Sequence, residues 1–238
     1  MSLRDIVRDL RASLPHWREW GAAYRSLSRL RLRAPAARVR RLWRRRRKYF
    51  TPHPRTVILL PGIYETAEDM RVLAAALARR GHRIRRIRLA RQVVPLPLLR
   101  TRVERYLRKH DLRDVVVLAH SKGGLLGKHV MMGPEGERID RMIALATPWH
   151  GSQYAALFWP GLGVRSLRPG TTLIAAAEAP SPSDARIISV QPRFDPHVPL
   201  GSHLPGARNI DVDTAGHFAV LTDPAVVELV VQLVEERS

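Results

Sequence analysis

The 238-residue chain contains no cysteine. This absence excludes disulfide bridges and metal sites built from thiolates. The sequence also lacks a phosphate-binding P-loop, a dinucleotide-binding glycine fingerprint and any group of residues at metal-ligand spacing. It therefore predicts a protein that uses neither a metal ion nor another cofactor.

Long apolar runs are missing from the first 50 residues. We therefore expect neither a transmembrane helix nor a signal peptide with a hydrophobic core. The expected location is the cytoplasm, with peripheral membrane contact through residues 1–50 as an open alternative.

Acidic residues are scarce in the same segment. Residues 1–50 hold 16 Lys and Arg against three acidic residues, which accounts for 13 of the 20 net positive charges. Helical spacing of apolar residues predicts a basic amphipathic extension that either packs on the rest of the chain or lies on an anionic membrane. Specific nucleic-acid binding is not expected, because no base-reading motif accompanies the charge. The first apolar stripe consists of Leu3, Ile6, Val7, Leu10 and Leu14.

From residue 51 onwards, apolar strand-like runs alternate with helical patterns. This alternation predicts one α/β domain over residues 51–238, with a mainly parallel sheet of about six strands and helices on both faces. Four arginines in the second strand favour an edge position for it. The predicted strands are Thr56–Leu60, His82–Leu89, Asp114–Ala119, Ile139–Ala146, Arg186–Val190 and Arg208–Val212. The predicted helices are Ala67–Arg80, Leu98–Lys109, Ser121–Met132 and Pro224–Glu236.

A serine stands between the third predicted strand and the helix after it. The stretch AHSKGG around Ser121 fits the G-x-S-x-G pattern in all but its first glycine, which is Ala119 here. Such a strand–turn–helix exposes the serine hydroxyl above the sheet and points amide N–H groups of the helix at a developing oxyanion. The pattern predicts that Ser121 is a nucleophile.

A nucleophilic serine needs a base, and the base needs a carboxylate that orients it. With a nucleophile elbow these follow in the order Ser, Asp or Glu, His, each beyond a strand end. Asp195 follows the fifth predicted strand, and His217 lies in a loop after the sixth, so we predict the triad Ser121, Asp195 and His217. The other candidates lack this order and loop position. They are the carboxylates Asp184, Asp211 and Asp213 and the histidines His110, His150, His197 and His203.

The oxyanion of the reaction needs two backbone donors. One is expected from the residue after the nucleophile, Lys122, and the other from the loop after an early strand. The loop Pro61-Gly62-Ile63 follows the first predicted strand. We predict the amides of Ile63 and Lys122 as the oxyanion hole.

Five stretches together carry a family resemblance: LLPGI, AHSKGG, ATPWHGS, DPHVP and GHFAVL. From Thr56 to the C-terminus the chain resembles α/β-hydrolases, and within them small bacterial lipases and carboxylesterases. Those lipases often carry a Thr-Pro-x-x-Gly-Ser stretch and a His-Gly pair in the oxyanion loop; Pro61 replaces the histidine of that pair here. Thr147, Pro148, Gly151 and Ser152 match the first stretch. The resemblance implies a reduced α/β-hydrolase fold.

Residues 153–183 form an insertion between two predicted strands. By resemblance the insertion is a small lid or a wall of the acyl pocket; the alternative is an ordinary amphipathic helix packed on the sheet. The substrate-binding candidates are Tyr64, Trp149, Phe158, Trp159 and Leu162.

The predicted activity is that of a serine hydrolase that cleaves a carboxylic ester, with a lipid-like substrate and an acyl-enzyme intermediate. One alternative is an acyltransferase that passes the acyl group to an acceptor other than water. A second is a catalytically silent hydrolase scaffold that binds a membrane surface or a partner through residues 1–50.

Overall fold

Strands and helices alternate throughout the part of the chain that the computed structural model describes. The described residues are 51, 53–89, 92–156 and 162–236. The predicted extension over residues 1–50 and the candidates Phe158 and Trp159 lie outside them.

Six strands form a single sheet in which every neighbouring pair runs parallel. The strand order is β2-β1-β3-β4-β5-β6, so the arginine-rich β2 lies at an edge. The predicted six-stranded parallel sheet is thereby confirmed. The strands are β1 (Thr56–Leu60), β2 (Arg83–Arg86), β3 (Val115–His120), β4 (Ile139–Leu145), β5 (Ile187–Phe194) and β6 (Arg208–Ala215).

The strand order reverses between β1 and β3. After β1 the chain forms β2 on one side, and β3 to β6 then extend the sheet on the other side. Leu60, the last residue of β1, is paired in register with Ala119, the next-to-last residue of β3. The loops that begin at Pro61 and Ser121 therefore leave the sheet side by side, at the type of switch point where parallel sheets bind ligands.

In the described part of the chain, six helices accompany the sheet, and short 3₁₀ turns link several elements. Within the described residues, no helix has the length and apolar character that crossing a bilayer requires. The helices are α1 (Arg71–Arg79), α2 (Leu96–Lys109), α3 (Lys122–Met131), α4 (Leu162–Arg165), α5 (Thr172–Glu178) and α6 (Pro224–Glu235). The 3₁₀ turns are Gly136–Arg138, Gln153–Ala156, Pro182–Arg186 and Ala219–Leu221.

The apolar runs of the central strands reflect burial on both faces of the sheet. Successive side chains of a strand point to opposite faces, so a doubly covered strand is apolar throughout. In β1, Ile58 and Leu60 pack in the layer that holds α2, α3 and α5. Val57 and Leu59 pack in the opposite layer with α1 and α6. The two layers hold the central strands rigidly beneath the loops at their carboxyl ends.

The last two strands are longer than the sequence pattern predicts. The fifth strand is predicted to end at Val190, and two residues later comes Pro192, which donates no hydrogen bond to a strand ladder. In the structure β4 pairs with β5 only as far as Val190, and β5 then continues to Phe194 with β6 as its single neighbour. A proline is tolerated on such a free edge. Asp195 consequently follows β5 directly instead of lying five residues beyond it.

Helix α3 carries a fully buried lysine with an acidic partner. Lys128 Nζ lies 2.8 Å from Asp184 Oδ1 and donates to the carbonyl oxygens of Ala177 at 2.7 Å and Ala179 at 3.1 Å. Asp184 also accepts from the Ser181 amide at 2.9 Å. These contacts tie the helix after Ser121 to the segment before β5, which leads to Asp195.

A second buried lysine of the same helix lacks such a partner. Lys122 Nζ donates to the carbonyl oxygen of Gln92 at 2.7 Å, and no described carboxylate pairs with it. Burial lowers the pKa of Lys122 to about 8, because the charged form loses its hydration. Gln92 in turn donates through Nε2 to the Pro61 carbonyl oxygen, so this contact chain braces the loop after β1.

The paired lysine gives a first prediction. Lys128→Met leaves the Asp184 carboxylate buried without its cation, and we expect it to lower the free energy of unfolding by about 3–5 kcal/mol. Adding Asp184→Asn should recover part of that loss, because the asparagine oxygen can still accept from the Ser181 amide. Urea unfolding of the parent, both single variants and the double variant measures this. Equal losses in Lys128→Met and the double variant would contradict the pairing.

The unpaired lysine gives a second prediction, with a pH dependence. A folded-state pKa below the ordinary 10.5 means that the folded protein resists protonation of Lys122, at a cost on the order of 3 kcal/mol. This cost is fully present below pH 8 and disappears as the pH rises towards 10.5. Lys122→Met should therefore be more stable than the parent at pH 7, and the difference should shrink by pH 9.5. A difference independent of pH in urea unfolding would refute it.

Candidate active site

The turn at Ser121 has the backbone geometry of a strained elbow. Ser121 has φ 52° and ψ −127°, values that a non-glycine residue rarely adopts. Its amide donates to the Leu145 carbonyl oxygen at 2.9 Å, which anchors the turn to the end of β4. A Cβ at Gly123 would collide with the Leu60 carbonyl. Glycine at this position lets α3 approach β1 and keeps the serine above the sheet.

The structure brings Asp195 and His217 together. His217 Nδ1 lies 2.7 Å from Asp195 Oδ2, and both side chains are buried. The other carboxylate oxygen accepts from the amides of His197 at 2.8 Å and Val198 at 3.1 Å. These bonds hold the carboxylate in one orientation. An ionised Asp195 places the ring proton of His217 on Nδ1 and leaves Nε2 as the basic nitrogen.

The charge state of Asp195 follows from its surroundings. Burial alone would raise its pKa, but the neighbouring His217 and the bonds from His197 hold the pKa below the ordinary value. The carboxylate is therefore ionised at neutral pH. This is the form that can orient an imidazole and stabilise its protonated state.

His217 is flanked by two other histidine rings. The ring centroid of His120 lies 4.7 Å away and that of His197 lies 4.5 Å away. Since His120 immediately precedes Ser121, this stacking places His217 beside the elbow. Burial and the neighbouring His217 lower the pKa of His197 well below the ordinary value, so that ring is neutral at pH 7.

The loop after β1 lies against the nucleophile. A Cβ built on Gly62 would come within 3.0 Å of Ser121 Cβ. The amide of Gly62 is already occupied, because it donates to Glu65 Oε2 at 2.7 Å. The amides of Ile63 and Lys122 have no acceptor among the described residues. Their assignment to an oxyanion hole stays a prediction.

The competing carboxylates and histidines have other partners. None of the three carboxylates contacts His217: Asp184 pairs with Lys128, Asp211 with His203, and Asp213 with Arg193. Among the competing histidines, His150 pairs with Glu178 and His110 stacks on Tyr106, while His197 alone lies beside the site.

The substrate-binding candidates have different fates in the structure. Trp149 is fully buried and donates through Nε1 to Ser189 Oγ at 2.8 Å. The prediction that it lines a substrate pocket is therefore corrected: Trp149 belongs to the core. Tyr64 is 46% exposed and follows Ile63 in the loop beside Ser121. Leu162 begins the short helix α4. Helix α5 buries Ile174 and Ala177 in the core, as the alternative to a lid predicts for that part of the insertion.

A further pair of buried side chains was not singled out from the sequence. Glu65 contacts His120, and each of them also bonds to a neighbouring backbone group. Glu65 and His120 lie in the stretches PGIYE and AHSKGG, but no local sequence pattern relates two residues that are 55 positions apart.

One group of described residues has the spacing of a metal site. Asp195, His197 and His217 offer ligand atoms within 4.8 Å of one another. Asp195 Oδ2 and His217 Nδ1 already share a short hydrogen bond, which leaves these two atoms facing each other. The arrangement suits the orientation of an imidazole better than the binding of a cation.

Comparison with known proteins gives a clear answer at the level of the fold. No protein-family model matches the chain, and no curated protein matches it. Many solved structures do match. The mature lipase BlEst2 from Bacillus licheniformis is similar with a TM-score of 0.58 and 16% identity, over 77% of this chain and 94% of the lipase.

Two further structures extend the comparison. An extracellular α/β-hydrolase from a Paenibacillus species has a TM-score of 0.54 and 15% identity, over 78% of this chain and 100% of its own. The type II thioesterase BorB from the borrelidin biosynthetic cluster has a TM-score of 0.53 and 21% identity, over 79% of this chain and 94% of the thioesterase. Together with the six-stranded parallel sheet, these similarities show that the chain has the α/β-hydrolase fold.

Proposed function

We propose that the protein is a serine hydrolase that cleaves carboxylic esters through Ser121, His217 and Asp195. The observation that carries the proposal is the buried 2.7 Å bond between His217 and Asp195 beside the strained turn at Ser121. A serine held at positive φ stores strain, and such strain is typical of functional positions. The serine, the carboxylate and the imidazole follow one another along the chain in the order of this fold's hydrolases.

In the proposed reaction, His217 Nε2 accepts the hydroxyl proton of Ser121 as Oγ attacks the ester carbonyl carbon. The tetrahedral oxyanion is bound by the amides of Ile63 and Lys122. The protonated His217 then donates its proton to the departing alkoxide, which leaves an ester between the acyl group and Ser121. A water molecule that His217 deprotonates attacks this acyl-enzyme, and the released Ser121 oxygen recovers its proton from His217.

An apolar acyl group is the proposed substrate feature. Tyr64 follows β1, and Leu200 follows β5. Val93 lies between β2 and α2, and Leu98 lies in the first turn of α2. All four are exposed and belong to the carboxyl side of the sheet, where Ser121 lies. The similar structures include a lipase and a thioesterase, which supports acyl substrates of this kind.

Loss of the nucleophile or the base gives a third prediction. Ser121→Ala and His217→Ala should each remove ester turnover by a factor on the order of 10⁶, and the double variant should be little worse, because these groups act as a unit. Hydrolysis of p-nitrophenyl butyrate measures turnover. Losses that add in the double variant would argue against the shared mechanism.

A covalent probe separates the enzyme from a silent scaffold. A fluorophosphonate should add once to the parent protein, and peptide mass analysis should locate the adduct on Ser121. Ser121→Ala is the matched control and should stay unlabelled. A parent protein that takes no adduct and turns over no ester would favour the scaffold.

The orienting carboxylate gives a fourth prediction. Asp195→Asn should lower kcat by a factor of about 10⁴, because asparagine favours the wrong tautomer of His217. Asp213→Asn is the matched control, since Asp213 is exposed and pairs with Arg193 on the surface. We expect parent-like kcat in the control. If Asp195→Asn kept a parent-like kcat and Asp213→Asn lost it, the assignment of Asp195 as the orienting carboxylate would be wrong.

A further inference from the structure

A buried acid–base pair lies directly beside the proposed triad without belonging to it. His120 Nδ1 lies 2.8 Å and 2.9 Å from the two carboxylate oxygens of Glu65. His120 is fully buried, and Glu65 is only 7% exposed. Taking two charged groups out of water is costly, so the pair is expected to have a use beyond general stability.

The bonding partners define the protonation state of this pair. His120 Nε2 lies 2.9 Å from the backbone carbonyl oxygen of His217, which can only accept, so Nε2 carries a proton. Nδ1 faces the Glu65 carboxylate, which also accepts from the Gly62 amide at 2.7 Å. Burial alone would lower the pKa of His120, but Glu65 and the His217 carbonyl raise it above the ordinary value. Both ring nitrogens of His120 thus face oxygen atoms that can accept, an arrangement that favours an imidazolium paired with the Glu65 carboxylate.

The pair joins three loops that the proposed reaction needs. Glu65 holds Gly62, whose neighbour Ile63 is the oxyanion donor of the first loop. His120 is covalently attached to Ser121 at the elbow. Through its Nε2 the same ring holds the backbone of His217 in the third loop. Glu65 thus binds His120 and the loop after β1, and His120 binds Glu65 and the loop of His217.

We propose that Glu65 and His120 are positioning residues, which hold the Ile63 amide and the His217 ring at the distances that the Ser121 reaction requires. This inference rests on the proposed function. It assigns neither residue contact with substrate. The occupied Gly62 amide supports it, because that bond orients the peptide plane next to the one that carries the Ile63 N–H. Misplacement of an oxyanion donor affects the transition state more than the bound substrate.

The test uses Glu65→Gln, which keeps the size of the side chain and removes its charge. Glutamine cannot accept from both Gly62 and His120 and also balance an imidazolium. We expect kcat for p-nitrophenyl butyrate to fall about 10²-fold, the typical loss for one oxyanion donor, while KM changes less than about threefold. Affinity for a butyl boronic acid, whose serine adduct carries a negative tetrahedral centre, should fall by a similar factor.

Glu135→Gln is the matched control. Glu135 is buried to a similar degree and is paired with Arg108 and Arg138, but it lies before the amino-terminal end of β4, whereas Ser121 follows the carboxyl end of β3. It should lose stability without losing kcat. His120→Gln should lower kcat by a factor similar to that of Glu65→Gln. The kcat of the double variant should be no lower than that of the less active single variant, because the pair acts as a unit.

The fluorophosphonate separates the two proposals. If the parent protein labels on Ser121 and Glu65→Gln labels equally fast at equal folded fraction, the positioning role is overturned while the hydrolase proposal stands. A parent that neither labels nor hydrolyses esters would overturn both. A change in the KM of Glu65→Gln with an unchanged kcat would also overturn the positioning role. So would a fall of kcat in Glu135→Gln equal to that in Glu65→Gln.

A measurement on the parent protein avoids variants that fail to fold. Long-range ¹H–¹⁵N spectra, assigned through backbone connectivities, report the ring nitrogens of His120. Two protonated nitrogens at pH 7 support the ion pair. A neutral His120 ring would overturn the proposed arrangement.

Discussion

The close approach of helix α3 to the ends of β1 and β3 is the constraint on which the site depends. It requires glycine at position 123, since any Cβ there would collide with the Leu60 carbonyl. It also holds Ser121 at positive φ, which the sheet enforces through the bond to Leu145. The energetic cost of this geometry is local, at about 1–3 kcal/mol, and two packed layers of apolar side chains easily sustain it.

Charge around the proposed base is balanced residue by residue. On one side, the ring of His120 contacts the carboxyl group of Glu65, and on the other, His197 is neutral. Asp195 supplies a negative charge that His217 contacts directly. In the proposed reaction, a proton taken up by His217 would therefore meet its compensating carboxylate at 2.7 Å in a site shielded from water. In such surroundings an oriented charge has a larger effect than it would have at the surface.

Sequence patterns predicted the sheet well because they depend on short-range periodicity. All six strands are present close to their predicted positions, and β2 lies at the edge that its arginines indicated. Chain order and loop position also selected Asp195 and His217, which the fold then brings together. Strand ends were harder to predict: the sequence pattern placed the end of the fifth strand at Val190, but a free edge of β5 lets the strand continue to Phe194.

Contacts between distant segments explain what the sequence could not predict. Trp149 follows a strand and is aromatic, which suits a pocket wall or a core equally, and only the position of Ser189 forty residues later decides for the core. Glu65 and His120 are separated by 55 residues, and neither belongs to a periodic pattern that would disclose its partner. A parallel sheet places its strands' carboxyl ends at one edge but leaves open which loop residues meet there. That choice depends on turn geometry, here a loop curled back so that Glu65 binds its own Gly62 amide.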